Sequence, residues 1–183
     1  MADCGPLIAL SKLDQLGLLA DLFRAIHIPQ TVWAEATTGQ TGADALRLSG
    51  WLAHHAVTSI ATSSAAITVV PDAPEAAIAH LQAVLDSGES QAIYLAGQLQ
   101  CVLLMDEKRG RTVAKRLGIP AVGVLGVLLS AKRQGFLAKI APSLNALDGA
   151  NYFLAPALKT QALALAGEDA TTRPVKPPCP PRS

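Results

Sequence analysis

The sequence is poor in aromatic residues: Phe, Trp and Tyr make up 4% of its 183 positions. A platform that stacks successive bases on exposed rings needs more than that, so this mode of single-strand binding is excluded. Cysteine is also scarce. Cys4, Cys101 and Cys179 are odd in number, widely separated and without metal-ligand spacing, which excludes a disulfide framework and a zinc knuckle. A reducing, cytoplasmic setting follows as the expectation. Neither sign of charge dominates. The net charge of +1 does not by itself point to nucleic acid or to a membrane surface. No apolar run reaches about 18 residues without a charge, Pro or Gly cluster, so no membrane span is expected. The first residues show no charged region followed by an apolar core and a cleavage site.

What the chain does have is aliphatic residues. Half of it is hydrophobic, much of that Ala and Leu, which favours helices around a sizeable core. Residues 1–167 read as one domain. Residues 168–183 are proline-rich without apolar periodicity and read as a disordered tail. The run Cys101-Val102-Leu103-Leu104-Met105 reads as a strand buried on both faces, and it ends in Asp106. Shorter strands are expected at 25–28, 65–70 and 121–124, with an edge strand at 152–154. Residues 1–3 resemble the last part of a strand, with a few residues expected upstream.

Helices are expected at 7–12, 15–23, 31–37, 75–85, from 87 through 99, and at 107–117. Three more are expected at 125–134, 139–147 and 156–166. Asp86, three residues before Glu89, is a capping-box-like start, and Gly118 and Gly135 are stops. Residues 39–74 give little pattern beyond the 65–70 run. Short buried strands alternating with helices predict an α/β fold: a three-layer α/β/α sandwich with a short, mostly parallel central sheet.

Charge is unevenly placed. Lys108, Arg109, Arg111, Lys115, Arg116, Lys132 and Arg133 fall close together after Asp106. They read either as solvated helix faces or as a rim that attracts phosphate. Among the acids, Asp3 and Asp106 each end a strand, and in a parallel sheet those ends share the edge where ligands bind. Glu35 lies on the helix after the 25–28 strand, and Glu89 in the first turn of the helix that feeds Asp106. Gathered at one edge, four carboxylates would need a cation, and oxygen-only ligands suit Mg²⁺ or Mn²⁺.

Each acid also has a plainer reading. Glu89 could serve only the helix dipole, worth roughly 0.3–1 kcal/mol. Asp106 could cap the helix after it. Glu35 could be an exposed helix residue, and Asp3 could cap the turn at Gly5-Pro6. Spacing alone leaves both readings open. His54-His55 are adjacent and share no face, so they are not expected to be ligands. Trp33 and Trp51 read as core or interface anchors, and Tyr94 as core-edge.

Four segments together carry a resemblance. They are Asp3-Cys4-Gly5-Pro6-Leu7-Ile8-Ala9-Leu10, Ile28-Pro29-Gln30-Thr31-Val32-Trp33-Ala34-Glu35, Leu85-Asp86-Ser87-Gly88-Glu89-Ser90-Gln91-Ala92-Ile93 and Leu103-Leu104-Met105-Asp106-Glu107-Lys108-Arg109-Gly110-Arg111. In this order the chain resembles the PIN-domain family, which includes the VapC toxins, and it is closest to a branch of predicted nucleic-acid-binding PIN proteins. Cys4 stands where the family usually carries Ser or Thr.

The resemblance implies a metal-dependent endoribonuclease. Asp3, Glu35, Glu89 and Asp106 would hold one or two Mg²⁺ or Mn²⁺ ions, and an activated water would attack an RNA phosphodiester. Lys108, Arg109 and Arg111 would bind the RNA backbone or offset phosphate charge, and Glu107 would be an additional nearby acid. It implies RNA as substrate and an antitoxin protein as partner if the chain is the toxin of a toxin–antitoxin pair. The alternative is a catalytically silent module that binds RNA or a protein. Cys4, a weak hydrogen-bonding substitute for a hydroxyl, and the short first strand, which would hold Asp3 loosely, favour that alternative. A structural homodimer built on the apolar helices at 7–23 is a further expectation.

Overall fold

The structure, a computed structural model, describes residues 1–38, 50–51, 66–150 and 152–168. His54, His55, Cys179 and the expected tail after 168 lie outside the described residues.

Residues 1–3 occupy the middle of the strand layer. The Ala2 N–H donates to the His27 carbonyl at 2.9 Å on one side, and the Asp3 N–H to the Leu104 carbonyl at 3.0 Å on the other. The Leu104 N–H donates to the Met1 carbonyl at 2.8 Å, which completes a parallel bridge between Ala2 and Leu104. The segment thus stitches together two parallel pairs. One is β1 (Ala25–Pro29) with β2 (Ala66–Val70), and the other is β3 (Leu103–Leu104) with β4 (Ala121–Val122). The short first strand is therefore bonded on both sides, contrary to the expectation that it would hold Asp3 loosely.

Alternation along the strands builds the layers, because successive side chains leave opposite faces. Ala2, Leu104, Ile26, Ile28 and Ile67 join one core with residues of α1 (Cys4–Lys12), α2 (Gly17–Leu22), α3 (Gln30–Thr38) and α7 (Val124–Arg133). Residues of α8 (Ala141–Gly149) and α9 (Pro156–Ala166) extend that core. Met1, Leu103 and Met105 point the other way. There they pack with Leu81 and Leu85, with Ala92, Ile93 and Ala96 of α5 (Ser87–Gln98), and with Ala114 of α6 (Lys108–Arg116). Leu81 belongs to α4 (Glu75–Gln82). Helices on both faces of a short parallel sheet make the expected three-layer α/β/α arrangement.

Local chemistry sets the helix ends. The Asp86 carboxylate accepts from the Glu89 N–H at 2.7 Å and starts α5. Gly118 and Gly135 adopt φ of +73° and +86° beyond α6 and α7, a left-handed turn that costs glycine little. Glu168 accepts from the backbone N–H groups of Ile140 and Ala141, at 2.8 and 2.9 Å, and from Lys132 at 2.5 Å. It thereby ties the chain after α9 to the start of α8 and the end of α7.

Three expectations change. The strand at 101–105 contracts to Leu103–Leu104, with flanking ladder bonds from Leu103 to Pro120 and Met105 to Val122, and Val102 at its start is 44% exposed rather than buried. Residues 152–154 form no strand; Tyr152 instead bonds back to the Leu147 carbonyl. The apolar side chains expected to form a homodimer surface, among them Leu7, Leu10, Leu18 and Leu19, are buried in the molecule's own core. Among the described residues, no helix is long and apolar enough to cross a membrane.

Candidate active site

The chain leaves its central segment toward β1 and β2, and later returns on the opposite side as β3 and β4. The carboxyl ends of residues 1–3 and β3 therefore flank the point where the strand order reverses, the place where open α/β sheets bind ligands. A cleft of about 680 Å³ opens there. Asp3, Glu35, Asp86, Glu89 and Glu107 line it, and Arg109 is the one basic residue among them.

Three elements deliver the acids. Asp3 sits at the end of the central segment, 7% exposed, and precedes α1. Glu35 is carried by α3, whose start is fixed by Asp72. The Asp72 carboxylate accepts from the Thr31 N–H at 3.1 Å and from the Thr31 hydroxyl at 2.5 Å. The loop that holds Asp72 is fastened to α5, where the Gln91 amide bonds both the N–H and the carbonyl of Ala73. Glu89 lies in the first turn of α5, beside the cap Asp86. Gly88 lets the two helices close up: a Cβ there would stand 2.7 Å from Glu35 Oε2.

Crowding of like charge shows in the titration of these groups. Burial pushes the Asp3 carboxyl up to about 7, and the nearby Glu89, Asp86 and Glu35 add to the rise against the pull of the Cys4 N–H. Glu35 is exposed as a residue, yet desolvation of its carboxylate against α5, with Asp86 and Asp72, raises it too. Glu89 is raised by burial and by Asp86, and Arg109 opposes this weakly. Burial beside Asp3 pushes the Cys4 thiol up to about 12.

Asp106 occupies the equivalent position on the next strand, but its surroundings differ. It is not among the residues lining the cleft. Both of its oxygens accept from the Val124 N–H, at 3.1 and 3.2 Å, and the Tyr152 hydroxyl lies nearby. Burial raises its pKa, while Tyr152, Val124 and the Arg111 cation lower it. Gly123 makes the space, since a Cβ there would collide with Asp106 Oδ1 and stand 2.8 Å from Arg111 Nη1.

The basic residues separate in the same way. Lys108 and Arg109 are exposed, Arg109 on the cleft. Arg111 turns inward, where its Nη1 donates to the Met105 carbonyl at 3.1 Å. It is engaged there rather than free on the rim.

The structure thus brings Asp3, Glu35 and Glu89 to one cleft and leaves Asp106 beside it. Trp33 and Trp51 pack against the core, as expected. Sequence reading missed Asp72 as the anchor of α3, Asp86 as a cleft residue, and Tyr152 and Gly123 as partners of Asp106. Of these, Asp86 carried a local signal, as the cap three residues before Glu89.

Among the described residues, no group of three or more His, Cys, Asp or Glu is arranged to hold a metal ion as the side chains stand. The donor set nevertheless fits a hard divalent cation in its chemistry. Its ligands are all carboxylate oxygens, and their pKa values are raised by burial first and by one another second.

No curated protein and no solved structure matches the chain. A family model described as a PIN domain (DUF3368) matches residues 1–168, nearly the whole described chain. The chain therefore belongs to the PIN-domain family, whose members are in general divalent-metal-dependent nucleases.

Proposed function

We propose that the protein is a metal-dependent endoribonuclease, and that Asp3, Glu35 and Glu89, with Asp106 as a fourth acid, hold Mg²⁺ or Mn²⁺. The observation that carries this is the convergence of Asp3, Glu35 and Glu89 on one cleft at the strand-order switch, with too little positive charge to balance them. When bound, the divalent ion supplies acidity to a water and charge to offset the scissile phosphate. The chain's own residues do the rest. Arg109 at the rim and exposed Lys108 attract the RNA backbone, and Arg109 is placed to offset charge on a phosphate entering the cleft. Asp86 and Asp72 fix the helices that carry Glu89 and Glu35. Such activity fits the toxin of a toxin–antitoxin pair, with an antitoxin protein as partner.

Purified protein should cleave RNA when Mg²⁺ or Mn²⁺ is present and stop when it is chelated. Asp3→Asn or Glu89→Gln should abolish cleavage while the protein stays folded. Cleavage that survives both substitutions would sink this mechanism.

One observation favours the second reading, a module that binds RNA or a protein without cutting. Asp106 is already engaged by the Val124 N–H through both oxygens and stands outside the cleft. On that reading the protein retains RNA in a filter assay, releases it as salt rises, and leaves it intact with either metal.

A further inference from the structure

The two helices that carry Glu35 and Glu89 are bridged by a short segment that belongs to neither. Pro71-Asp72-Ala73-Pro74 links β2 to α4, and each of its inner residues holds one helix. Toward α3, the Asp72 carboxylate accepts from the Thr31 N–H through both oxygens, at 3.1 Å each, and from the Thr31 hydroxyl at 2.5 Å. Toward α5, the Gln91 amide accepts from the Ala73 N–H at 2.8 Å and donates to the Ala73 carbonyl at 3.1 Å. Gln91 is 4% exposed, and its amide supplies the donor and the acceptor together. The bridge is stiff. Prolines fix φ at both of its ends, and Ala73, ahead of Pro74, is confined to extended backbone.

Helical register carries this bridge to the acids. Thr31 and Glu35 stand one turn apart on the same face of α3, and Gln91 follows Glu89 within the early turns of α5. Where the helices approach each other, Gly88 puts no side chain between α5 and the Glu35 carboxylate. We propose that Gln91 is a positioning residue. Through Ala73 and Asp72 it fixes the separation of α3 and α5, and with it the span between Glu35 and Glu89 across the cleft. This rests on the cation reading of the cleft given above. Carboxylate ligands need such support, and losing an outer partner costs roughly tenfold or more in metal affinity.

Calorimetric titration of Mn²⁺ into the full chain, with folding followed by circular dichroism, tests this without relying on activity. Gln91→Leu, similar in size and suited to burial, should bind Mn²⁺ about tenfold more weakly than wild type. Asp72→Ala should do the same. The double variant should also lose only about tenfold, because both changes break one bridge. A merely structural role would lower the melting temperature and leave the Mn²⁺ affinity of folded protein unchanged. If Gln91→Leu does not fold, Thr31→Val, which removes the hydroxyl alone, should still weaken binding, and Thr31→Ser should restore it. Wild-type affinity in folded Gln91→Leu, or in Thr31→Val, would overturn the proposal and leave the cation reading standing. Losses that multiply to about a hundredfold in the double variant would overturn it too, because the two residues would then act separately. Failure of the wild type itself to bind Mn²⁺ would overturn the cation reading and this proposal with it.

Discussion

Asp3 and Asp106 are the same residue type at the same kind of place, the carboxyl end of a parallel segment, one strand apart. Asp3 receives a single backbone N–H and is surrounded by acids; its carboxyl is pushed up to about 7. Asp106 receives the Val124 N–H and lies near the Tyr152 hydroxyl and a guanidinium. The strand end puts a carboxylate at the ligand-binding edge, but the donors around it decide whether its charge is available. Asp3 is uncompensated, as the proposed cation site requires, while Asp106 is compensated from within. The same division runs through α6, where Arg109 faces the cleft and Arg111 is drawn in by Met105 and Asp106.

The largest effect expected from breaking this comparison is on catalysis. Asp3→Asn should lower metal-dependent RNA cleavage by about a hundredfold or more, measured as a single-turnover rate. The same variant should be more stable than wild type in chelator at neutral pH. In folded protein the Asp3 proton is bound more tightly than in unfolded chain, about 7 against an ordinary 3.8. Between those values unfolding releases a proton, so the Asp3 contribution to stability falls as pH rises and levels off above about 7. The advantage of Asp3→Asn in denaturant melts should grow across that window toward about 4 kcal/mol at most. An unchanged difference between pH 5 and pH 8 would contradict the assigned environment of Asp3.

The two glycines sharpen the comparison next. Gly123→Ala drives a methyl into Asp106 and Arg111 beside ordered backbone and should cost about 1–3 kcal/mol in urea unfolding. Gly88→Ala meets only the end of the Glu35 side chain, inside a helix that gains from alanine. It should leave stability unchanged or slightly higher while weakening Mn²⁺ binding. Loss of stability at both positions alike would erase the distinction.

A substitution far from the cleft provides the control. Glu168→Ala removes the acceptor for Ile140 and Ala141 and the partner of Lys132. It should cost about 1–2 kcal/mol by thermal melting, with cleavage by the folded protein unaltered. The smallest effect belongs to Arg109→Ala, which should weaken RNA binding several-fold and flatten its dependence on salt, as expected for one lost phosphate contact. Arg111→Ala should act instead on stability.

Much of the architecture was legible in the sequence because it rests on local signals. The apolar run before Asp106 announced a buried strand, Asp86 announced the start of α5, and Gly118 and Gly135 marked stops that the structure realises with positive φ. Residues 156–166 were readable to the residue, with Pro156 in the first turn and Gly167 at the end. The order of the four acids was legible too, through family resemblance. What could not be read was the direction in which Asp106 faces. That depends on Val124 and Tyr152, which reach it only after the chain has formed β4, α7 and α8, and on the absent side chain of Gly123. Nor did the three residues before Cys4 reveal that they would be the middle of the sheet. Their partners, His27 and Leu104, lie on elements that approach from opposite sides.

Direct titration of Mn²⁺ into wild-type protein and into Asp3→Asn, side by side at low salt, tests the central claim most plainly. The acidic cleft as a cation site predicts saturable heat in the wild type and its loss in the variant, with both proteins folded by circular dichroism. Absence of heat in the wild type, or binding that Asp3→Asn leaves unchanged, would contradict it.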